Sequence, residues 1–112
     1  MRRGTTPTLN ISIDYLSTDI ARAWISFAQK DMVIINKELT DEGVTIEDVT
    51  EKQTTHAVIH INFSQEDTLL LTPGLLELQV RALMDDGKAA ASAIYKLNVA
   101  KILKDGVITL EA

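Results

Sequence analysis

No cysteine occurs among the 112 residues, so disulfide staples, thiol nucleophiles and cysteine-based zinc sites are excluded. Glycine is scarce, with five residues, and none of them falls in a phosphate-cradling loop pattern. Aromatic residues make up 4%, which leaves little material for a stacking platform. Basic residues are outnumbered by acidic ones, 11 to 16, for a net charge of -5 at pH 7. General binding to nucleic acid or to anionic lipid asks for the opposite balance. No apolar run approaches the roughly 18 residues of a membrane-spanning helix. The opening MRRGTTPTLN places two arginines before polar residues and lacks the apolar centre of about 7–15 residues that marks a signal peptide, so the product is expected to stay in the cytoplasm.

What is present suits a folded globule. Hydrophobic residues make up 46% and charged residues 24%, an ordinary globular balance. The length fits one domain over 1–112, with 1–7 as an N-terminal arm and 100–112 as a C-terminal extension.

Period-two alternation dominates the chain. In Thr8 to Tyr15, Leu9, Ile11, Ile13 and Tyr15 alternate with Asn10, Ser12 and Asp14, which predicts a half-buried strand. Ile20 to Gln29 carries Trp24, Ile25 and Phe27 and favours strand over helix. A turn near Asp31 and a return strand over Met32 to Lys37 complete a hairpin. Glu38 to Gln53 is polar and acidic, and predicts a long connection with at most a short strand at Val44 to Ile46. From His56 to Phe63, Ala57, Ile59, Ile61 and Phe63 share a face. Ser64-Gln65-Glu66-Asp67 has the form of a capped helical turn, leading through Thr68 to Leu71, with at least one of Leu69 to Leu71 plugging the core. Pro73-Gly74 stops it. Leu76, Leu78, Val80 and Ala82 mark another strand, closed by the Asp86-Gly87 hairpin signal. Ala89 to Val99 is alanine-rich. On a helix its polar residues would scatter around the whole circumference, whereas on a strand Ser92, Lys96 and Asn98 share one face. Strand is therefore expected.

About seven short strands with turns between them predict an all-β, antiparallel two-sheet sandwich of immunoglobulin-like type. Its expected interior is Leu9, Ile11, Ile13, Ile25, Phe27, Ile59, Ile61, Phe63, Leu78, Val80 and Leu97.

Candidate chemistry is thin. His56 and His60 stand four apart, which on a strand is about 13 Å, too far for two ligands each about 2 Å from one zinc. The acids from Asp41 to Asp48 lack the ligand alternation of a calcium loop. Ser64, Glu66 and Asp67 lack a positioned histidine base, and Asp85 and Asp86 fit a turn. No catalytic residue, metal or cofactor is expected, and the chain is read as a non-enzyme. Trp24 and Tyr15 leave open a small ligand- or carbohydrate-binding module as the alternative. After the expected last strand, Ile102, Leu103, Val107, Ile108 and Leu110 are many apolar residues for a terminal segment. Lys104-Asp105-Gly106 suggests a turn, and Val107 to Leu110 a further short strand, paired with its own sheet edge or with a neighbouring subunit.

Five stretches together carry a resemblance: the opening MRRGTTPTL, ISFAQ at 25–29, FSQEDTL at 63–69, LELQVRAL at 76–83 and KILKDGVI at 101–108. With these the chain resembles the small proteins encoded beside tail genes in prophages of Firmicutes bacteria. Its strand pattern and QEDTL crossover are similar to the N-terminal β-sandwich domain of upper baseplate proteins from phages of Gram-positive hosts. The resemblance implies a virion structural component that packs against other phage proteins or against itself. It implies no catalytic residue.

Overall fold

The computed structural model describes residues 1–110. Among them run eight strands and one short α-helix: β1 (Thr8–Ile13), β2 (Ile20–Gln29), β3 (Met32–Glu38), β4 (Val44–Glu51), β5 (Thr54–Asn62), α1 (Gln65–Leu69), β6 (Gly74–Met84), β7 (Ala89–Ala91) and β8 (Tyr95–Val99). A single 3-10 turn, Ser17–Asp19, precedes β2. The strands form two antiparallel sheets, one in the order β1-β5-β4 and one in the order β3-β2-β6-β7, with β8 also on β6. The expected all-β two-sheet sandwich is what the chain forms. Its strand order differs from the immunoglobulin constant-type order: β2 lies beside β6, where that order would set it beside β5.

Each sheet turns one side-chain parity inward. Ile11 and Ile13 of β1, Val44 of β4, and Ala57, Ile59 and Ile61 of β5 meet Ala23, Ile25 and Phe27 of β2 and Leu76, Leu78 and Val80 of β6 in one buried cluster. Phe27 and Phe63 lock the two layers edge to face, with ring centroids 5.1 Å apart at 78°. Leu9 and Leu97, expected inside, are only partly buried and pack against the cluster from one side.

Two elements differ from expectation. The acidic stretch after Gly43 is a full eight-residue strand, β4, paired along its length with β5. Glu47, Asp48 and Glu51 are exposed there, so their charge reflects an edge position and not a loop. The β4–β5 hairpin turns through Lys52 and Gln53, both at positive φ, as are Lys30 and Asp31 between β2 and β3. Neither pair contains the glycine that usually marks such left-handed turns. Ala89 to Val99 is extended, as its polar spacing predicts, but broken into β7 and β8. At the break the Ser92 hydroxyl accepts the Val80 amide at 3.0 Å, and the Ser92 amide donates to Val80 O at 2.8 Å. A side chain thus substitutes for one main-chain partner and lifts the strand off its path.

Between β5 and β6 the chain crosses from one sheet to the other through α1. Ser64 caps it: the Asp67 amide donates to Ser64 Oγ at 3.1 Å, and the Ser64 amide donates to Asp67 Oδ2 at 3.2 Å, a reciprocal capping box. The same carboxylate receives Lys37 Nζ at 2.9 Å, which pins the helix to β3. Partial burial would raise the Asp67 pKa, but hydrogen bonds from Lys37 and the Ser64 amide and the lysine charge together bring it below the ordinary carboxylate range. A carboxylate with a depressed folded pKa contributes stability above its unfolded pKa and loses it as pH falls through the folded value. Asp67→Asn should therefore cost about 0.5–2 kcal/mol at neutral pH, the range of a lost cap. The cost should shrink as the solution is acidified past the ordinary carboxylate range. Urea titrations at stepped pH values check this, and a cost that grows on acidification would contradict it.

Candidate functional site

Two surfaces stand out, and both are apolar. The first is the C-terminal segment. Ala100 forms a parallel bridge with Arg2, in which the Arg3 amide donates to Ala100 O at 3.0 Å. Ile102 then packs over Gly4, where a Cβ would stand 2.9 Å from its Cδ1. Further on, the Gln65 side-chain amide donates to Ile108 O at 2.9 Å and accepts the Ile108 amide at 2.8 Å. Arg3 faces Asp105 at 3.6 Å. Residues 101–110 form no strand, contrary to the short strand expected at Val107 to Leu110. The physical reason is the Gln65 side chain, which takes both main-chain groups of Ile108 as a strand neighbour would, so the segment rests on α1 and not on a sheet edge. Of the five expected interface residues, only Ile102 is partly buried. Leu103 and Leu110 are 95% and 108% exposed, and Val107 and Ile108 are 48% and 55% exposed. The extension's last residues, 111–112, lie outside the described residues.

The second surface is a groove between sheet edges that sequence reasoning missed. β1 is the edge of the small sheet, and β7 and β8 form an edge of the large one. Between them lies an open groove of about 290 Å³ lined by residues 9–12 of β1 and by Leu78, Tyr95 and Leu97. It continues past Ile13 and Tyr15 along residues 90–93. Because consecutive β1 residues line it, the groove sees the strand's backbone edge as well as its inner face. The Phe63 amide donates to Pro7 O at 3.0 Å. Antiparallel alternation then turns the main-chain groups of Leu9, Ile11 and Ile13 toward β5 and those of Asn10 and Ser12 outward. No strand pairs with that outer edge among the described residues.

The edge is also undefended. Proteins blunt free edges with charged residues, bulges or proline. β4 carries Glu47, Asp48 and Glu51, β3 carries Lys37 and Glu38, and β8 carries Lys96, whereas β1 reads TLNISI and the three-residue β7 reads AAA, both without a charge. The only signal in the sequence was this missing charge. The groove itself comes from the meeting of residues nearly 90 positions apart, Leu9 beside Tyr95 and Leu97.

The remaining candidates do not assemble into a reactive site. His60 lies between Asn10 Oδ1 at 2.6 Å and Glu47 Oε1 at 2.9 Å on the outer face of the small sheet. Among the described residues no group of three or more histidine, aspartate or glutamate side chains is placed to hold a metal ion. Ser64 and Asp67 are engaged in the capping box. Asp48, drawn from the acidic stretch, accepts the Ser17 hydroxyl at 2.6 Å and the Ser17 amide at 2.8 Å, which together hold its carboxyl below the ordinary value. A sugar platform needs aromatic faces side by side in the open. Here Arg22 covers the Trp24 ring at 4.7 Å, and Tyr15 and Trp24 line different hollows. Among the described residues no helix is long and apolar enough to cross a membrane.

Neither a known protein family, nor a curated protein, nor a solved structure matches the chain.

Proposed function

We propose that this protein is a non-enzymatic structural component that works by protein–protein assembly, in the tail or baseplate of a phage or prophage particle. The observation that carries the assembly role is the uncharged outer edge of β1 beside an apolar groove. An exposed uncharged edge invites added strands, and a chain that keeps one gains most when a specific partner covers it, with backbone pairing for affinity and alternate side chains for specificity. The exposed leucines and isoleucine of residues 103–110 add a second apolar surface, of a kind that marks contact sites in soluble proteins. The phage setting rests on the resemblance carried by the QEDTL crossover and the stretches around it.

The test is to induce a lysogen that encodes the protein, separate tails from capsids and free protein on a density gradient, and probe each fraction with antibody to the purified chain. It is expected with the tails. Recovery only among free proteins, from a gradient whose tail fractions are intact, would refute the phage role.

A further inference from the structure

We infer that the outer face of the large sheet packs on the same face of a second copy of this chain, about a two-fold axis that passes over Gln79. The inference stands on a different surface from the β1 edge and does not need the phage setting.

The row that carries it lies on β6. Leu76, Leu78, Val80 and Ala82 are buried, so alternation turns Leu75, Glu77, Gln79, Arg81 and Leu83 to the outside. Taken from Gln79 in both directions, this row is self-complementary. An acid stands two residues to one side and a base two residues to the other, and a leucine follows each. A two-fold axis lying between the two faces and across the strands sets β6 antiparallel to its copy. Glu77 then faces Arg81 of the second copy, twice over, and Leu75 faces Leu83. An axis along the strands would set Glu77 against Glu77 and Arg81 against Arg81, so the charges select the first arrangement. Among the described residues neither Glu77 nor Arg81 forms an ion pair within its own chain, so the new pairs break no existing one. The charges stand about 7 Å from the centre of the row. At that distance they stay opposed when aligned sheets cross at about 30°.

The neighbouring rows fit the same axis. On β2, Ser26 is level with Gln79. Trp24 and Ala28 lie equally far to either side of it, so the half-buried indole of each copy meets the small Ala28 of the other. A hollow lined by Ser26, Ala28, Val33 and Ile94 opens at that place. On the other flank Lys96 is level with Glu77 and Ala91 with Arg81, so a long side chain again meets a methyl group.

The two outer faces of the sandwich also differ. Val33, Leu75, Leu83 and Ile94 are exposed on or beside the large sheet, whereas no large apolar residue of β1, β4 or β5 is exposed. Apolar patches set among polar residues mark contact sites. The stretch from 75 to 83, taken across the width of the sheet, covers roughly 600 Å² per copy and roughly 1,200 Å² in total, the lower end of stable specific interfaces.

The charge pattern supplies the test. Glu77→Arg and Arg81→Glu each set like charges opposite one another at both places. Each is expected to raise the dissociation constant of the dimer at least about tenfold. E77R/R81E restores the opposition in reverse and is expected to dimerise as the wild type does. An equal mixture of the two single variants is expected to form a mixed dimer, because one carries two bases in the row and the other two acids. Sedimentation equilibrium reads the masses, and circular dichroism checks that each variant keeps its strands. A wild-type chain that stays monomeric as concentration rises would overturn the inference. So would single variants that dimerise like the wild type, or folded single variants that do not combine. Wild-type monomers that still sediment with tails would remove this dimer and leave the assembly role standing.

Discussion

Phe27→Ala is expected to destabilise the protein by about 3–5 kcal/mol and to lower its melting temperature by more than about 10 °C. Phe27 is fully buried. It comes from β2 of the large sheet, whereas its edge-to-face partner Phe63 follows β5 of the small one. The pair therefore joins the two layers, and such a contact is worth about 0.5–1.5 kcal/mol beyond the area it buries. The position adds to the cost. The register of β2 against β3 shifts between Phe27 and Ala28, and a bulged backbone seated on a ring loses its support when the ring is removed. Total stabilities run to about 5–15 kcal/mol, so one such loss takes a large share of the whole. Urea unfolding followed by circular dichroism measures it. A loss below about 1 kcal/mol would mean that the sheets do not rely on this pair.

Legibility followed geometry. Where a strand has one face in the core and one in water, as in β1, β5 and the middle of β6, alternation placed both the strand and its buried residues. The capping box at Ser64 was readable because its two partners lie three positions apart and act locally. β4 was read only in part, as a short strand at Val44 to Ile46, because an edge strand is solvated along one side. Its acids therefore resemble those of a loop, and its turn at Lys52 and Gln53 is left-handed without glycine. The break between β7 and β8 depends on Ser92 reaching the Val80 amide, and the parallel bridge from Arg2 to Ala100 on residues nearly a chain length apart. No local pattern encodes either. The same holds for the candidate site. An excess of apolar residues near the C-terminal end was visible in the sequence, while the groove between the sheets exists only once the chain brings β1 and β8 together.

The crossover supplies the sharpest separation between composition and position. Three consecutive leucines, Leu69, Leu70 and Leu71, end α1 and lead into β6, and their environments differ completely. Leu71 is fully buried, Leu70 is 61% exposed, and Leu69 is partly covered, standing 3.4 Å from where a Cβ on Gly4 would lie. A five-residue helix has almost no stability of its own, so α1 persists because its ends are tied. The tie at the far end runs through Leu71. Arg3 Nε donates to Leu71 O at 2.6 Å and Nη2 to Leu69 O at 3.0 Å. The buried Gln29 side chain holds the next residue, accepting the Thr72 amide at 2.9 Å and donating to Thr72 O at 2.7 Å. Leu71→Ala should thus cost about 2–5 kcal/mol, the cavity range for a buried leucine. Leu70→Ala should stay within about 0.5 kcal/mol of the wild type, and Leu69→Ala should fall between. Only position 69 lies within α1, and there alanine is the better helix former, so a graded loss cannot come from helix propensity and must come from burial. Urea unfolding of the three variants makes the comparison. Equal losses at positions 70 and 71 would mean that the crossover does not plug the sandwich as this geometry requires.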